Sequence, residues 1–154
     1  MKKFELTGET KLWFGRTLHR IRALVAFGDV DVGELGGWIE NESNLDQSGN
    51  AWVYGNAWVY GDAWVSGNAR VYGNAWVYER RAIMWISVIG SRNDTVTFFA
   101  CKGGIIGVTV GCFHGSIDEF AEKVRKTHGD NEHAQAYMIA IELAKLRVKV
   151  EVPA

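Results

Sequence analysis

Residues 49–78 form five uninterrupted six-residue units, GNAWVY, GNAWVY, GDAWVS, GNARVY and GNAWVY, and no other feature restricts the fold as strongly. A period of six is too short for helical repeats and too even for an ordinary sheet. Each unit opens with Gly-Asn or Gly-Asp, residue types that tolerate positive φ and so supply a corner. A small residue, a large one, Val and another large one follow. Side chains alternate along a strand, so Ala51 and Val53 face one way and Trp52 and Tyr54 the other. Short strands joined by regular corners coil into a solenoid. The predicted inward layer is Ala51, Val53, Ala57, Val59, Ala63, Val65, Ala69, Val71, Ala75 and Val77, all small enough for a narrow interior.

These units resemble the hexapeptide repeat of left-handed parallel β-helix proteins, in which an aliphatic residue recurs every six positions and a small one sits four further on, as Val53 and Ala57 do. That resemblance implies three hexads per turn. Ile39 and Leu45 fall in register with Ala51, and Ile83 with Val77, which extends the repeat to 37–84: eight units, rising ~4.8 Å per turn. So short a coil needs covers at both ends, because terminal turns expose unpaired backbone. With eighteen residues per turn, Trp52 stacks on Arg70 in a cation–π pair, and Tyr54 stacks on Tyr72. On the second face Trp58 lies over Trp76 and Tyr60 over Tyr78. On the third, Trp64 and Ser66 lie over Ala82 and Met84. The second face is an uncharged block of four aromatics, of a size that implies a contact surface. Two readings of it stand: self-association through Trp58, Tyr60, Trp76 and Tyr78, or cover by the chain's own flanks.

The flanks read as covers. Residues 1–36 form a β-rich N-terminal cap, with short strands at 4–7, 11–14 and 17–24 and a turn at Gly15. Beyond the repeat, 83–89, 95–101 and 105–110 read as three strands in a meander. Ser116 and Glu119 form a capping box ahead of Ile117, Phe120 and Val124. His128-Gly129 ends that helix, and a second runs from about 132 to 147. The predicted fold class is mainly β with a C-terminal α+β part: a short left-handed parallel β-helix over 37–84 and a small βββαα domain over 85–154. The opening (FELTGET, GRTLHRIRAL, GELGGWIE) and the tail (IGSRNDTVTFF, GCFHGSIDEF, KTHGD) are also similar to a recurring group of phage and prophage proteins that carry variable numbers of hexads between such ends. That similarity implies a viral context and nothing catalytic.

Composition narrows the function classes. Lys and Arg number 17 against 18 Asp and Glu, a net charge of −1, which gives no electrostatic case for nucleic acid or an anionic membrane. No signal peptide or spanning segment is visible. Cys101 and Cys112 sit at different heights of one hairpin and read as free thiols of a reducing cytosol, that of the host bacterium if the chain is phage-encoded. No His/Cys/Asp cluster has metal-ligand spacing, and neither a metal nor a cofactor is expected.

Many hexapeptide-repeat proteins are acyltransferases, and that resemblance implies a trimer with clefts between subunits and a catalytic His. Here the repeat has no insertion and no His; His19, His114, His128 and His133 all lie outside it. Cys112 and His114, two apart, would share a side if extended, but a Cys ending a β-run is usually a small core residue. No catalytic residue is assigned. The stretch Gly111–Ser116 leads into a helix N-terminus, where backbone N–H groups favour an anion. Arg92, Asn93 and Lys102 occupy adjoining turns, while Phe98 and Phe113 offer rings for a planar base. The candidate ligand site is therefore Arg92, Asn93, Phe98, Lys102, Phe113, His114 and Ser116, and the ligand class a nucleotide-like small anion. The ordinary alternative is that any β-to-α junction carries such a capping box and turn. The sequence-level reading is a non-enzymatic homo-oligomeric binding protein, acting by sequestering such a signal or by contacting a host defence protein. A hexapeptide-repeat acyltransferase and a purely structural assembly module are the alternatives.

Overall fold

In a computed structural model of the chain, residues 1–150 are described; the last four positions of the expected C-terminal domain lie outside them. The hexads build a β-solenoid. Its coils carry β3 (Leu35–Ile39), β4 (Trp52–Val53), β5 (Trp58–Val59), β6 (Arg70–Val71) and β7 (Trp76–Val77). Pairing is parallel between coils eighteen residues apart: Val53 on Val71 and Val59 on Val77. All ten residues of the predicted inward layer are buried. The strand ladders include Tyr54 N–H donating to Val71 O at 2.8 Å and Trp58 N–H to Ala75 O at 2.9 Å. A corner pairs between coils as well, with Asn50 N–H donating to Gly67 O at 3.0 Å.

The first coil departs from the even period. Ile39 pairs with Val59 and Leu45 with Val65, each twenty residues on, rather than falling in register with Ala51. Two extra residues between Leu45 and Val53 make the spacing there eight instead of six and lengthen that corner. Asn44 holds the adjoining corner from inside: it is buried, its Nδ2 donates to Ala63 O at 2.8 Å and Gly61 O at 3.2 Å, and its Oδ1 accepts from Asn41 N–H. Lys3 fills the long corner, with its Nζ 2.7 Å from Ala51 O and its aliphatic stem buried.

Both open ends are closed by antiparallel strands. β1 (Phe4–Trp13) and β2 (Arg16–Ala23) form a hairpin, and β2 pairs with β3, so the exposed edge of the first coil is occupied. β1 is continuous, with a register shift between Leu6 and Thr10 where two separate strands were expected. At the other end Ile83 leaves the coil instead of extending it. It opens β8 (Ile83–Ile89), which pairs with β9 (Asp94–Cys101), followed by β10 (Ile105–Val110) and β11 (Phe113–Ser116). The meander thus has four strands; FHGS is too short and too glycine-rich to announce itself. β9 lies across the last coil, where Ala75 bridges Cys101 and Lys102 N–H donates to Asn74 O at 2.9 Å.

Helices α1 (Ile117–His128) and α2 (Glu132–Arg147) pack on the far face of this sheet. Ser116 and Glu119 form the expected reciprocal box, and Asn131 Oδ1 caps α2 through Ala134 N–H. The layers are therefore solenoid, four-stranded sheet, helix pair, with one apolar core on each side of the sheet. Among the described residues no helix is long and apolar enough to cross a membrane.

The flanks also cover the outward rings. Trp52 is fully buried, against Phe4 at 6.3 Å and Phe27 at 5.2 Å. Its backbone pairs with Arg70 as expected, but the guanidinium turns to Gly111 O and Asp29 instead of stacking on the indole. On the second face Trp58 and Trp76 stack at 5.2 Å, and Trp13 of the hairpin lies 5.1 and 5.0 Å from them. Tyr60 and Tyr78 are buried. The hairpin thus occupies the surface on which a second subunit was one of two expected occupants. On the third face Trp64 meets Trp85 at 6.2 Å, and Ala82 is buried.

Candidate functional site: a ring stack ending in a recess

Strand alternation decides where each expected ligand residue goes. Within β9, Phe98 points to the helices, 6.4 Å from Phe120, whereas Phe99 packs with the solenoid core. Within β11, Phe113 points to the helices, 5.4 Å from Phe120, and His114 points to the solenoid. The seven residues are consequently not one site. Lys102, His114 and Ser116 line a recess of about 230 Å³ between the solenoid and the sheet. Arg92 and Phe113 line another, of about 210 Å³, between the sheet and the helices. Phe98 is buried in the helix-side core. Asn93 serves the β8–β9 turn, with φ +50° and its N–H donating to Gly90 O.

The first recess has the more organised chemistry. Tyr54 and Tyr72 occupy equivalent positions on successive coils, so their rings stack at 4.1 Å and 6°. His114 continues the column, 5.3 Å from Tyr72 and within 10° of parallel. The column is anchored at its far end by Tyr54 Oη donating to Asp29 Oδ1 at 2.6 Å, and His114 ends it exposed to solvent. Burial holds the Tyr54 and Tyr72 hydroxyls above the usual phenol range, so both remain neutral at physiological pH. Beside the column Lys102 extends over Trp76, Nζ 5.4 Å from the ring centroid. Asn74 and Cys101 complete the wall, and no carboxylate among the described residues lines it. Burial pushes the Cys101 thiol up to about 11, which leaves it protonated and a poor nucleophile.

The helix N-terminus itself is already occupied. Glu119 Oε1 accepts from Ser116 N–H at 2.9 Å, and Ser116 Oγ accepts from Glu119 N–H at 3.1 Å. These bonds hold the Glu119 carboxyl below its usual range, so the capping carboxylate stands where an anion was expected. Positive charge in the recess comes from Lys102 instead. The Cys112–His114 pairing does not form either: Cys112 sits in the β10–β11 turn and lines the helix-side recess, so the two residues face opposite sides of the sheet. Sequence reasoning missed Tyr72 and Asn74. Both lie inside the repeat, where their place under the cap depends on distant contacts, Tyr72 with His114 and Asn74 with Lys102.

Comparison with known proteins reaches the solenoid. Residues 51–67 and 63–79 match a family model described as the YdcK Beta solenoid repeat. Over 37 residues, 24% of this chain, the sequence is 49% identical to a protein of Escherichia coli (strain K12) named "Uncharacterized acetyltransferase YdcK". The chain spans 11% of that protein's length. Tyr72 and Asn74 fall inside the matched model and Lys102, His114 and Ser116 beyond it, so what this chain shares with that family is the β-solenoid repeat.

Proposed function

We propose that this chain is a non-enzymatic binding protein that holds a small, planar, anionic ligand of the nucleotide class in the recess beside His114. The observation that carries the reading is the Tyr54–Tyr72–His114 column, which ends in an exposed ring next to Lys102. A base adds to such a column by stacking, Lys102 Nζ meets its phosphate as a point charge, and Asn74 and Ser116 supply polar contacts. We take the protein to act by sequestering that ligand. We take the coil to be left-handed, as its hexads resemble that family. We place the chain in the cytoplasm of a bacterium carrying phage genes, as its ends resemble those of phage and prophage proteins. There it would act against a host nucleotide signal, as a homo-oligomer.

Native mass spectrometry of the protein purified from cells, followed by calorimetric titration with mononucleotides, tests this. A bound mononucleotide is expected, its affinity falling at least ~10-fold in both Lys102→Ala and His114→Ala, about 1.4 kcal/mol each, with Arg92→Ala, in the other recess, unchanged. Loss of affinity in Arg92→Ala alone would move the ligand to the helix-side recess.

Acyl transfer is the second reading, favoured by the similarity to a protein named an acetyltransferase. It predicts binding of acetyl-coenzyme A and acetylation activity lost in His114→Ala, since His114 is the exposed imidazole of the recess. Binding of neither probe leaves contact with a host defence protein or a structural assembly module.

A further inference from the structure

The two helices differ in what they show to solvent. The exposed residues of α1 include Asp118, Glu122, Lys123, Arg125 and Lys126, an ordinary solvated face. Helix α2 is apolar on two opposite sides. Tyr137, Ile141 and Ala144 are buried against the sheet and α1, while Ile139, Leu143 and Leu146 are exposed by 71%, 42% and 77%. With half-buried Ala136 these follow a spacing of three, four and three residues, the a/d spacing of a helix that packs along a second helix. Scattered exposed leucines need no explanation; a seam at heptad spacing on one face does.

We infer that this seam is where two copies of the chain meet, α2 against α2 and antiparallel. Charge along the helix selects that orientation. Its first turn carries exposed Glu132, preceded by Asp130, and its last turn exposed Lys145 and Arg147, followed by Lys149. Lys145 and Lys149 each also lie 3.7 Å from a carboxylate of their own chain, Glu142 and Glu79, so Arg147 is the main basic group offered to a second copy. Antiparallel packing sets each acidic start against a basic end and opposes the helix dipoles, whereas parallel packing would bring like charges together. The midpoint of the seam lies between Ile139 and Leu143, so Ile139 packs on Leu143 of the second copy and Ala136 on Leu146. The two Glu142 side chains come near the axis, each beside its own Lys145, whose Nζ is 3.7 Å away.

The helix is 16 residues long, about 24 Å, and one such contact falls at the small end of specific interfaces. The dimer is therefore weak, half-dissociated at roughly 10–100 µM, and tightens as salt is lowered. The homo-oligomer proposed above gains a location on α2, remote from the ring column, so ligand binding and assembly can fail independently.

Sedimentation velocity across that concentration range, on the full chain, is the test. A monomer–dimer equilibrium is expected, with Ile139→Glu and Leu146→Glu each raising the dissociation constant at least ~10-fold while circular dichroism and the urea midpoint stay unchanged. A Cys112→Ser background carrying Glu142→Cys should form an intersubunit disulfide, and one carrying Gln135→Cys should not. A wild-type monomer throughout, a dimer indifferent to Ile139→Glu, or a dimer lost in Trp64→Ser would overturn the assignment. So would crosslinking through residue 135 in preference to 142, or a seam whose substitution changes only binding to phosphatidylglycerol vesicles.

Discussion

Two glycines that each follow the same six residues, GNAWVY, make the sharpest test of the solenoid. Gly55 and Gly61 both follow a Trp-Val-Tyr triplet and both open a corner, with φ +57° and +65°. A Cβ at Gly55 meets nothing within 4 Å, whereas one at Gly61 would overlap the carbonyl oxygen of Tyr78 on the next coil. Gly61 is also clamped on its other side, its N–H donating to Glu40 Oε1 at 2.9 Å and its carbonyl accepting from Asn44. Alanine at either position incurs ~1–2 kcal/mol for the left-handed conformation, partly offset by ~0.4–1 kcal/mol from a stiffer unfolded chain. At Gly61 the overlap must be relieved by moving two backbones apart, which adds the ~1–3 kcal/mol of an overpacked interior. The expected losses are roughly 0.5–1.5 kcal/mol for Gly55→Ala and 2–4 kcal/mol for Gly61→Ala. Asparagine sharpens the contrast, because it tolerates the conformation but still carries a Cβ: Gly55→Asn should be near neutral and Gly61→Asn should stay costly. Urea unfolding followed by tryptophan fluorescence measures both. A difference between the alanine variants smaller than about 0.5 kcal/mol would refute the coil-to-coil contact at Tyr78.

Three further outcomes follow from the covers and corners. Asn44→Leu strands the Gly61 and Ala63 carbonyls inside the first corner and should lower stability by about 2–3 kcal/mol, read from the same urea unfolding. Trp13→Ala uncovers Trp58 and Trp76, so emission should shift to the red with a loss of about 2–3 kcal/mol and no change in mass; unshifted emission would place the hairpin elsewhere. Burial lowers the Lys3 ammonium from 10.5 to about 8. Between those values the unfolded chain binds more protons than the folded one, so stability rises with pH from about 8 towards 10 and falls as pH drops through 8, by roughly 1–3 kcal/mol. Lys3→Met should flatten that slope. Above pH 10 the sign reverses, because burial raises Tyr54, Tyr60, Tyr72 and Tyr137 in the folded state and the unfolded chain ionises first.

What the sequence discloses here is whatever depends on near neighbours. The Ala/Val inward layer, the eighteen-residue stacking of β4 on β6 and of β5 on β7, the Ser116–Glu119 box and the limits of both helices follow regular patterns and read correctly. The eight-residue spacing from Leu45 to Val53 escaped because a strict period carries no mark of where it begins. Trp52 read as an outward ring and is buried, because Phe4 and Phe27 reach it only when the N-terminal segment folds back. The candidate site suffered most from the same cause. Phe98 and Phe99 are adjacent in sequence, as are Phe113 and His114, yet each pair divides between two faces of one sheet. Composition alone gathers them into a single pocket. The turn at Gly111-Cys112 hides β11, and with it the sides on which Cys112 and His114 fall.

Closing both ends of the coil with strands from the same chain has a consequence for how such molecules change length. The hairpin occupies the first coil and drapes Trp13 along the second face, while β9 seats on the last coil and brings His114 over Tyr72. Each cover is tuned to one azimuth around the axis. Gain or loss of a single hexad would turn one cover by a third of a revolution relative to the other, and would leave its rings facing the wrong side. Three hexads together restore the angle and only lengthen the barrel. Viable variants should therefore differ by eighteen residues, as a screw with a head at each end accepts whole turns and no fractions.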